Sequence, residues 1–260
     1  MQESILPRLE KLFASTNPAD LREGFELIKQ EIDTMGSEHA QPLLEMLTPI
    51  FYIDPLDLPE LLPILNEALS LIVGFGTKVI PALIQQLDTG DLKAQMAVAH
   101  ALGRIGSDAI APLLAEYQAK PDAAHRTFVL YALSKIKSPQ IIQAVPYTLE
   151  SAKSPDLELR DTATRSLGKY IEVINPAELS ETLCQQCIDV LSTNLSDPKS
   201  DIRAKAVRSL GKLAKYGHLT PDRCAQLKQK FQRILGKEDF EWDRAYIVRK
   251  QAEEALQYVE

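Results

Sequence analysis

Leu195-Ser-Asp-Pro-Lys-Ser-Asp-Ile-Arg-Ala-Lys-Ala-Val-Arg-Ser-Leu-Gly-Lys-Leu213 decides the fold. Asp197-Pro198 interrupts any helix, because proline lacks an amide hydrogen and its ring clashes with the preceding turn. After the break, Ile202, Ala206, Leu210 and Leu213 fall on one stripe at helical spacing, as in a helix that buries one face. The end of this string recurs as Ala101-Leu-Gly-Arg-Ile-Gly106, Ala132-Leu-Ser-Lys-Ile136, Ser166-Leu-Gly-Lys-Tyr170 and Ala255-Leu-Gln-Tyr258. Leu102, Leu133, Leu167, Leu210 and Leu256 are separated by 31, 34, 43 and 46 residues. Arg126, Arg160, Arg203 and Arg249 each stand seven residues before their leucine, and Gln95 takes that place in the Leu102 unit.

A second word repeats out of phase with the first. Gly36-Ser-Glu-His-Ala-Gln-Pro-Leu-Leu44 matches Gly106-Ser-Asp-Ala-Ile-Ala-Pro-Leu-Leu114, and Gly76-Thr-Lys-Val-Ile-Pro-Ala-Leu-Ile84 falls in the same register. Similarity at such intervals means a solenoid, whose short units bury their apolar faces only against their neighbours. A solenoid offers an extended curved surface rather than a catalytic cavity, so binding is the first expectation.

The Leu195–Leu213 string resembles the HEAT repeat, in particular the variety found in subunits of phycobilin lyases, and the resemblance extends over most of residues 76–260. It implies an all-α, right-handed α-α superhelix, a HEAT-repeat solenoid of about seven helix pairs. It also implies that Asp197 and Arg203 stabilise the stack. The whole chain, 1–260, reads as one solenoid. Residues 1–75 would be divergent N-terminal capping repeats, 76–215 regular repeats and 216–260 a C-terminal capping repeat, since end units of solenoids depart from the pattern. Asn17 reads as an N-cap with Pro18 in the first helical position. Gly36 reads as a C-terminal helix stop. Ile53-Asp-Pro-Leu-Asp-Leu-Pro59 breaks the second pair, and Thr89-Gly90 joins the helices of the third.

Hydrophobic residues make up 45% of the chain, charged residues 25% and aromatics 6%, a balance that suits tightly packed helices of a soluble protein. The first residues carry acids and no basic stretch before an apolar run, unlike a signal peptide. No stretch reaches the roughly 20 apolar residues of a membrane helix, so no membrane insertion is expected. Three cysteines, an odd number, point to a reducing compartment, a cytoplasm or its equivalent such as a plastid stroma.

If Ile202, Ala206 and Leu210 face the core, Lys205, Arg208 and Lys212 form one outward ridge. The repeat register carries these positions onto the neighbouring units. One row is then His100, Tyr131, Arg165 and Arg208, with Phe128 beside it. A second row is Arg104, Lys135, Lys169 and Lys212. The resemblance places the second helices of the pairs on the concave side. Such aligned cations favour an acidic partner surface, a carboxylate ligand or phosphate, and Tyr and Arg are frequent binding hot spots; the bland alternative is a solvated basic face. Charge is also polarised along the chain. Residues 1–130 hold 9 basic and 18 acidic side chains, and residues 131–260 hold 20 and 18. Clustered Lys and Arg can bind phosphate backbones, but an isoelectric point near 5.3 and the lack of stacking aromatics in the basic stretch argue against nucleic acid.

Cys184-Gln-Gln-Cys187, with Cys224 downstream, has spacing that can hold zinc or part of an iron–sulfur cluster. The favoured reading is core packing. Cys184, Cys187, Ile188, Leu191 and Leu195 share one stripe, and Cys224, Leu227, Phe231 and Leu235 share another, as buried cysteines do. No second CxxC and no nearby histidine beyond His218 completes a ligand set, so no metal and no cofactor is assigned. The acids Asp239, Glu241 and Asp243 read as a solvated turn before a helix, and Trp242 as a packing anchor for the last pair. No nucleophile motif and no phosphate-binding glycine loop is present.

The function these features imply is a non-catalytic scaffold or adaptor. It would hold an acidic partner protein on a concave basic–aromatic face, in cofactor maturation or complex assembly. The resemblance implies an alternative, a subunit of a phycobilin lyase or a phycobilisome-remodelling factor that holds a phycobiliprotein or bilin. The cysteines leave a third open, an iron–sulfur cluster assembly partner.

Overall fold

A computed structural model describes residues 5–35, 40–53, 57–88, 90–237 and 242–259. Gly36, the 54–56 part of the second-pair break, Thr89, Asp239 and Glu241 lie outside the described residues. Among the described residues every regular element is a helix. The helices are α1 Leu6–Phe13, α2 Pro18–Met35, α3 Ala40–Leu47, α4 Leu62–Gly74, α5 Ile80–Gln85, α6 Leu92–Ile105, α7 Ile110–Ala119 and α8 Ala123–Leu133. They continue with α9 Val145–Ser151, α10 Leu157–Ile171, α11 Glu181–Asn194, α12 Ser200–Lys215, α13 Pro221–Ile234 and α14 Tyr246–Leu256. No single helix among the described residues is long and apolar enough to cross a membrane.

The helix ends follow local chemistry. The side chains of Asp91, Asp122 and Asp156 accept the backbone N–H of Ala94, His125 and Leu159 and so cap α6, α8 and α10. Asn17 Oδ1 accepts the Ala19 N–H at 3.0 Å, with Pro18 the first residue of α2. Several first helices of the pairs begin with a 3-10 turn: Gly76–Val79 before α5, Ser107–Ala109 before α7 and Pro139–Ala144 before α9. Pro81, Pro112 and Pro146 stand in the first turn of the following α-helix, where the missing N–H has no intrahelical role. Gly76 and Gly106, which open the repeated Gly…Pro word, have φ of 71° and 92°, a region that side chains disfavour.

Packing divides the chain into two compact units, residues 1–116 and 117–260. In the first unit α2, α4 and α6 pack in succession, with α1 against α2 and α3, and α5 against α6. In the second, α8, α10, α12 and α14 lie side by side as one layer, and α9, α11 and α13 form the other. The core stripe read from the sequence is buried: Ile202, Ala206, Leu210 and Leu213 have no exposed surface. Leu102, Leu133 and Leu167 are also buried, whereas Leu256 is only half-buried.

The glycines of the Ser-Leu-Gly-Lys word set how closely the second unit packs. A methyl group on Gly168 would overlap Ser209 and stand 3.2 Å from its Cα, and one on Gly211 would lie 2.8 Å from the Ala255 Cβ. Glycine therefore lets α10, α12 and α14 approach closely. Buried polar groups cross-link the layers. Asn194 donates to the Ala152 carbonyl at 3.0 Å and to Thr164 Oγ1 at 2.8 Å, while Ser209 donates to the Thr164 carbonyl at 3.0 Å.

Candidate functional site

The repeated arginine links successive pairs. Arg203 Nη1 donates to the Asp197 carbonyl at 2.8 Å, in the turn before its own helix, while Nε and Nη2 donate to the Asp243 carboxylate of the next pair at 2.7 and 2.9 Å. Arg160 does the same one pair earlier. Its Nη1 donates to the Ser154 carbonyl at 2.7 Å, and its Nε donates to the Asp197 carboxylate at 2.7 Å. Burial pushes Asp243 up, but its hydrogen bonds from Arg203 and Ala245 and the nearby positive charge hold it below the usual carboxylate range. At the chain's last pair, Arg249 Nη1 binds the Asp243 and Arg244 carbonyls, and its guanidinium lies 4.2 Å over the Trp242 ring. Trp242 is thus not a core anchor: it is 59% exposed and serves as a platform for Arg249. Arg126 binds the Tyr117 and Lys120 carbonyls and stacks 4.5 Å over Tyr117. Ser154 stands where Asp197 and Asp243 stand in the later turns. Gln95, in the arginine's place, is buried and donates to the Leu87 carbonyl at 2.6 Å.

The two cation rows have different surroundings. In the first unit Arg104 is in the last turn of α6, exposed, and donates to Ser70 at 2.9 Å; His100 is exposed one turn earlier. In the second unit Lys169 and Lys212 occupy the last turns of α10 and α12, where positive charge complements the helix dipole. Both bind Glu172, Lys169 at 3.2 Å. Burial raises the Glu172 carboxyl, and the bonds and charges of Lys212 and Lys169 reverse this and leave it lowered. Burial pulls Lys212 below the ordinary lysine range despite Glu172. Lys135 lies 4.3 Å over the Tyr131 ring. Lys205 binds both oxygens of Asp161 at 2.5 and 2.6 Å. These charges are largely matched within the protein.

The remaining members differ. Arg165 is exposed and makes no hydrogen bond or ion pair among the described residues. Arg208 is exposed and donates only to the neutral Gln251 Oε1, at 2.5 Å. On α8, Phe128 and Tyr131 are half-buried. In the second unit the sites on the packed helices α8, α10 and α12 thus comprise two half-buried aromatics, Arg165 and Arg208, bordered by cations already in pairs.

The α11 cysteine stripe is mostly core, and the α13 stripe is core only in part. Cys184 and Cys187 are buried on α11, and Cys224 is half-buried on α13. Burial pushes Cys187 up to about 12, and it raises Cys184 and Cys224 as well. Thiols so raised stay protonated and are poor nucleophiles. Cys184 Sγ lies 3.4 Å from the His218 carbonyl, and the His218 ring faces the Ile171 carbonyl at 3.0 Å. The three thiols are not gathered into a metal-ligand group among the described residues.

No family profile matches this chain, and no curated protein sequence matches it. Solved structures do. The complex of CpcE and CpcF of phycocyanin lyase from Nostoc sp. PCC7120 is similar with a TM-score of 0.55 and 20% identity, over 68% of this chain and 97% of that chain. The archaeal HEAT-like repeats protein from Thermococcus onnurineus NA1 is similar with a TM-score of 0.52 and 17% identity, over 100% of this chain and 98% of that one. The chain has a HEAT/armadillo-like repeat fold. A designed armadillo repeat protein in complex with the peptide (KR)4 shares this fold at a TM-score of 0.55 and 15% identity, over 99% of this chain and 100% of that one.

In this HEAT/armadillo-like chain one surface escaped the sequence reading. In the first unit a groove of about 750 Å³ lies between α2 and α4, lined by Arg22, Phe25, Lys29, Asp33, Leu71 and Phe75 among others. Its signal was present as Arg22, Glu26, Lys29 and Asp33, a run of alternating charge at helical spacing. The repeat register drawn from the leucine word starts at the Leu102 unit and so did not reach it.

Proposed function

We propose that the protein is a non-catalytic binding scaffold that holds an acidic segment of a partner protein against the α8–α10–α12 layer of its second unit, in a reducing compartment. The observation that carries this reading is Arg165, an exposed cation without an internal partner, on the helix between those that bear Tyr131 and Arg208. An acidic side chain laid there meets a guanidinium able to make bidentate bonds, beside aromatic surface that supplies apolar contact. The repeat fold supports the reading in general terms, since solenoids present extended surfaces for proteins and peptides.

The test is affinity purification from a native lysate with wild type beside an Arg165→Glu/Arg208→Glu variant, read by mass spectrometry and by the colour of the eluate. A protein retained by wild type and lost from the variant supports the reading. An identical catch from both overturns it.

A second reading is a bilin-lyase subunit that holds a phycobiliprotein or bilin; it rests on the likeness to the CpcE–CpcF complex. Mixing the protein with bilin, apo-phycobiliprotein and candidate second subunits tests it: a shift in the bilin spectrum that requires this chain supports the lyase reading over the plain scaffold. An iron–sulfur role is disfavoured by geometry, since the three thiols are not gathered into a ligand group among the described residues.

A further inference from the structure

The first unit contains a surface that the proposal above does not use. Its floor is apolar: Phe25, Leu71 and Phe75 are buried side chains that face the groove between α2 and α4. In the second unit, glycines let neighbouring inner helices close on each other. Between α2 and α4 a trough is instead lined by Phe25, Ile32, Leu71 and Phe75. One strap crosses it, where Arg22 Nε and Nη2 grip the Glu67 carboxylate at 3.0 and 2.9 Å.

The rim has an ordered charge pattern. Arg22, Glu26, Lys29 and Asp33 follow one another along one face of α2. Arg22 is engaged with Glu67, and Lys29 with Glu26. Asp33 makes no ion pair among the described residues and leaves one end of the trough negative. The stretch from Arg22 to Asp33 covers about 16 Å of helix, or three turns, at 1.5 Å per residue.

We propose that this trough docks an amphipathic helix of about three turns from a partner protein, with its apolar stripe on Phe25, Leu71 and Phe75 and a basic residue over Asp33. An apolar floor between charged edges is the geometry of helix-in-groove recognition, read out by anchors at i, i+3 or i+4 and i+7. The open negative end sets the polarity, because a basic residue gains there what an acidic one loses. This surface stands independently of the Arg165 face.

Gly74 provides the test. It ends α4 on the groove wall, and a side chain built there meets no atom within 4 Å. Gly74→Trp therefore fills the trough without displacing the core, and Asn66→Trp on the opposite part of the same wall is a second plug; thermal melting checks both for folding. The probe is a displayed library of 16-residue peptides, selected on wild-type protein and then measured singly by fluorescence anisotropy. The expected result is enrichment of peptides with an apolar i, i+4, i+7, i+11 stripe and a Lys or Arg at one end. Their binding falls at least tenfold in the plugged variants and is unchanged in Arg165→Glu. Selection on Asp33→Lys should exchange the terminal Lys or Arg for Glu or Asp. The proposal is overturned if no such stripe is enriched, or if enriched peptides bind plugged and open protein equally. It is also overturned if the trough instead takes only a small amphiphile such as anilinonaphthalene sulfonate, or if it mediates self-association that Gly74→Trp abolishes.

Discussion

Arg203 reaches forward to the Asp243 carboxylate with two hydrogen bonds and backward to the Asp197 carbonyl with a third. One side chain therefore ties three segments, its own turn, its own helix and the following pair. Removing one member leaves the other charge partly buried and unpaired, which costs several kcal/mol in full burial. Both groups keep some solvent access, with 17% and 13% of their side-chain surface exposed, so about 2 kcal/mol is expected for Arg203→Ala or Asp243→Ala. Urea unfolding of the single and double variants checks this, and the double variant should cost clearly less than the sum.

The close approaches at Gly168 and Gly211 predict opposite outcomes for the same kind of change at different glycines. Gly168→Ala and Gly211→Val force α10, α12 and α14 apart and should cost about 1–3 kcal/mol, the usual range for overpacking. Gly74→Ala fills no occupied space and replaces a helical glycine, so it should be neutral or stabilise by up to about 1 kcal/mol. Thermal melts of the three variants test the contrast.

The two rows of cations separate in the same kind of assay. Lys212→Glu places a second carboxylate against Glu172 and should lower the melting temperature by several degrees, as should Lys205→Glu against Asp161. Arg165→Glu removes no internal contact and should stay within about 0.5 kcal/mol of wild type, while it weakens partner capture.

Acid should loosen the protein in a defined window. Asp243 and Glu172 have folded values below their ordinary ones near 3.8 and 4.5. A carboxyl lowered by folding contributes stability that is complete above its unfolded value and is lost as pH falls through the folded value. The two carboxylates keep their full contribution from pH 7 to about 5 and lose it below about 4. Burial holds His218 below the ordinary imidazole value near 6.5 and adds a smaller, earlier loss below that pH. Asp243→Asn should flatten part of the carboxylate loss in urea titrations at each pH.

The thiols should react in order of burial. Maleimide labelling at pH 7.5 should reach half-buried Cys224 first and Cys187 last, because burial keeps Cys187 protonated. Labelling of Cys187 at the rate of a free thiol in folded protein would contradict this environment.

The sequence disclosed whatever repeats. The Asp197-Pro198 break, the Ile202–Leu213 stripe and the arginine seven residues before each leucine are local patterns, and each corresponds to a helix end, a core face or a turn clamp. Even Gln95, the odd member of the arginine series, does part of the same task. The partners of the surface cations were not legible. Lys205 finds Asp161, 44 residues away, and Lys212 finds Glu172; which acid a lysine reaches depends on how neighbouring helices cross and on the reach of a flexible stem. Trp242 misled for a related reason, since an aromatic beside a helix start reads as core until the stacked Arg249 is seen. The α2–α4 groove was hidden because its two walls come from helices of different pairs, and the charge run on α2 alone does not say which helix lies opposite.

Ser154 has a mechanical consequence. The guanidinium–carboxylate rivets join the pair containing α10 to that containing α12, and the latter to that containing α14. At Ser154 the carboxylate is missing, and Arg126 folds back onto its own hairpin. A chain pulled from both ends, or sampled by amide exchange near its melting point, should yield first at the seam between the α8 and α10 hairpins, while everything from Pro139 onward lets go together as a single block.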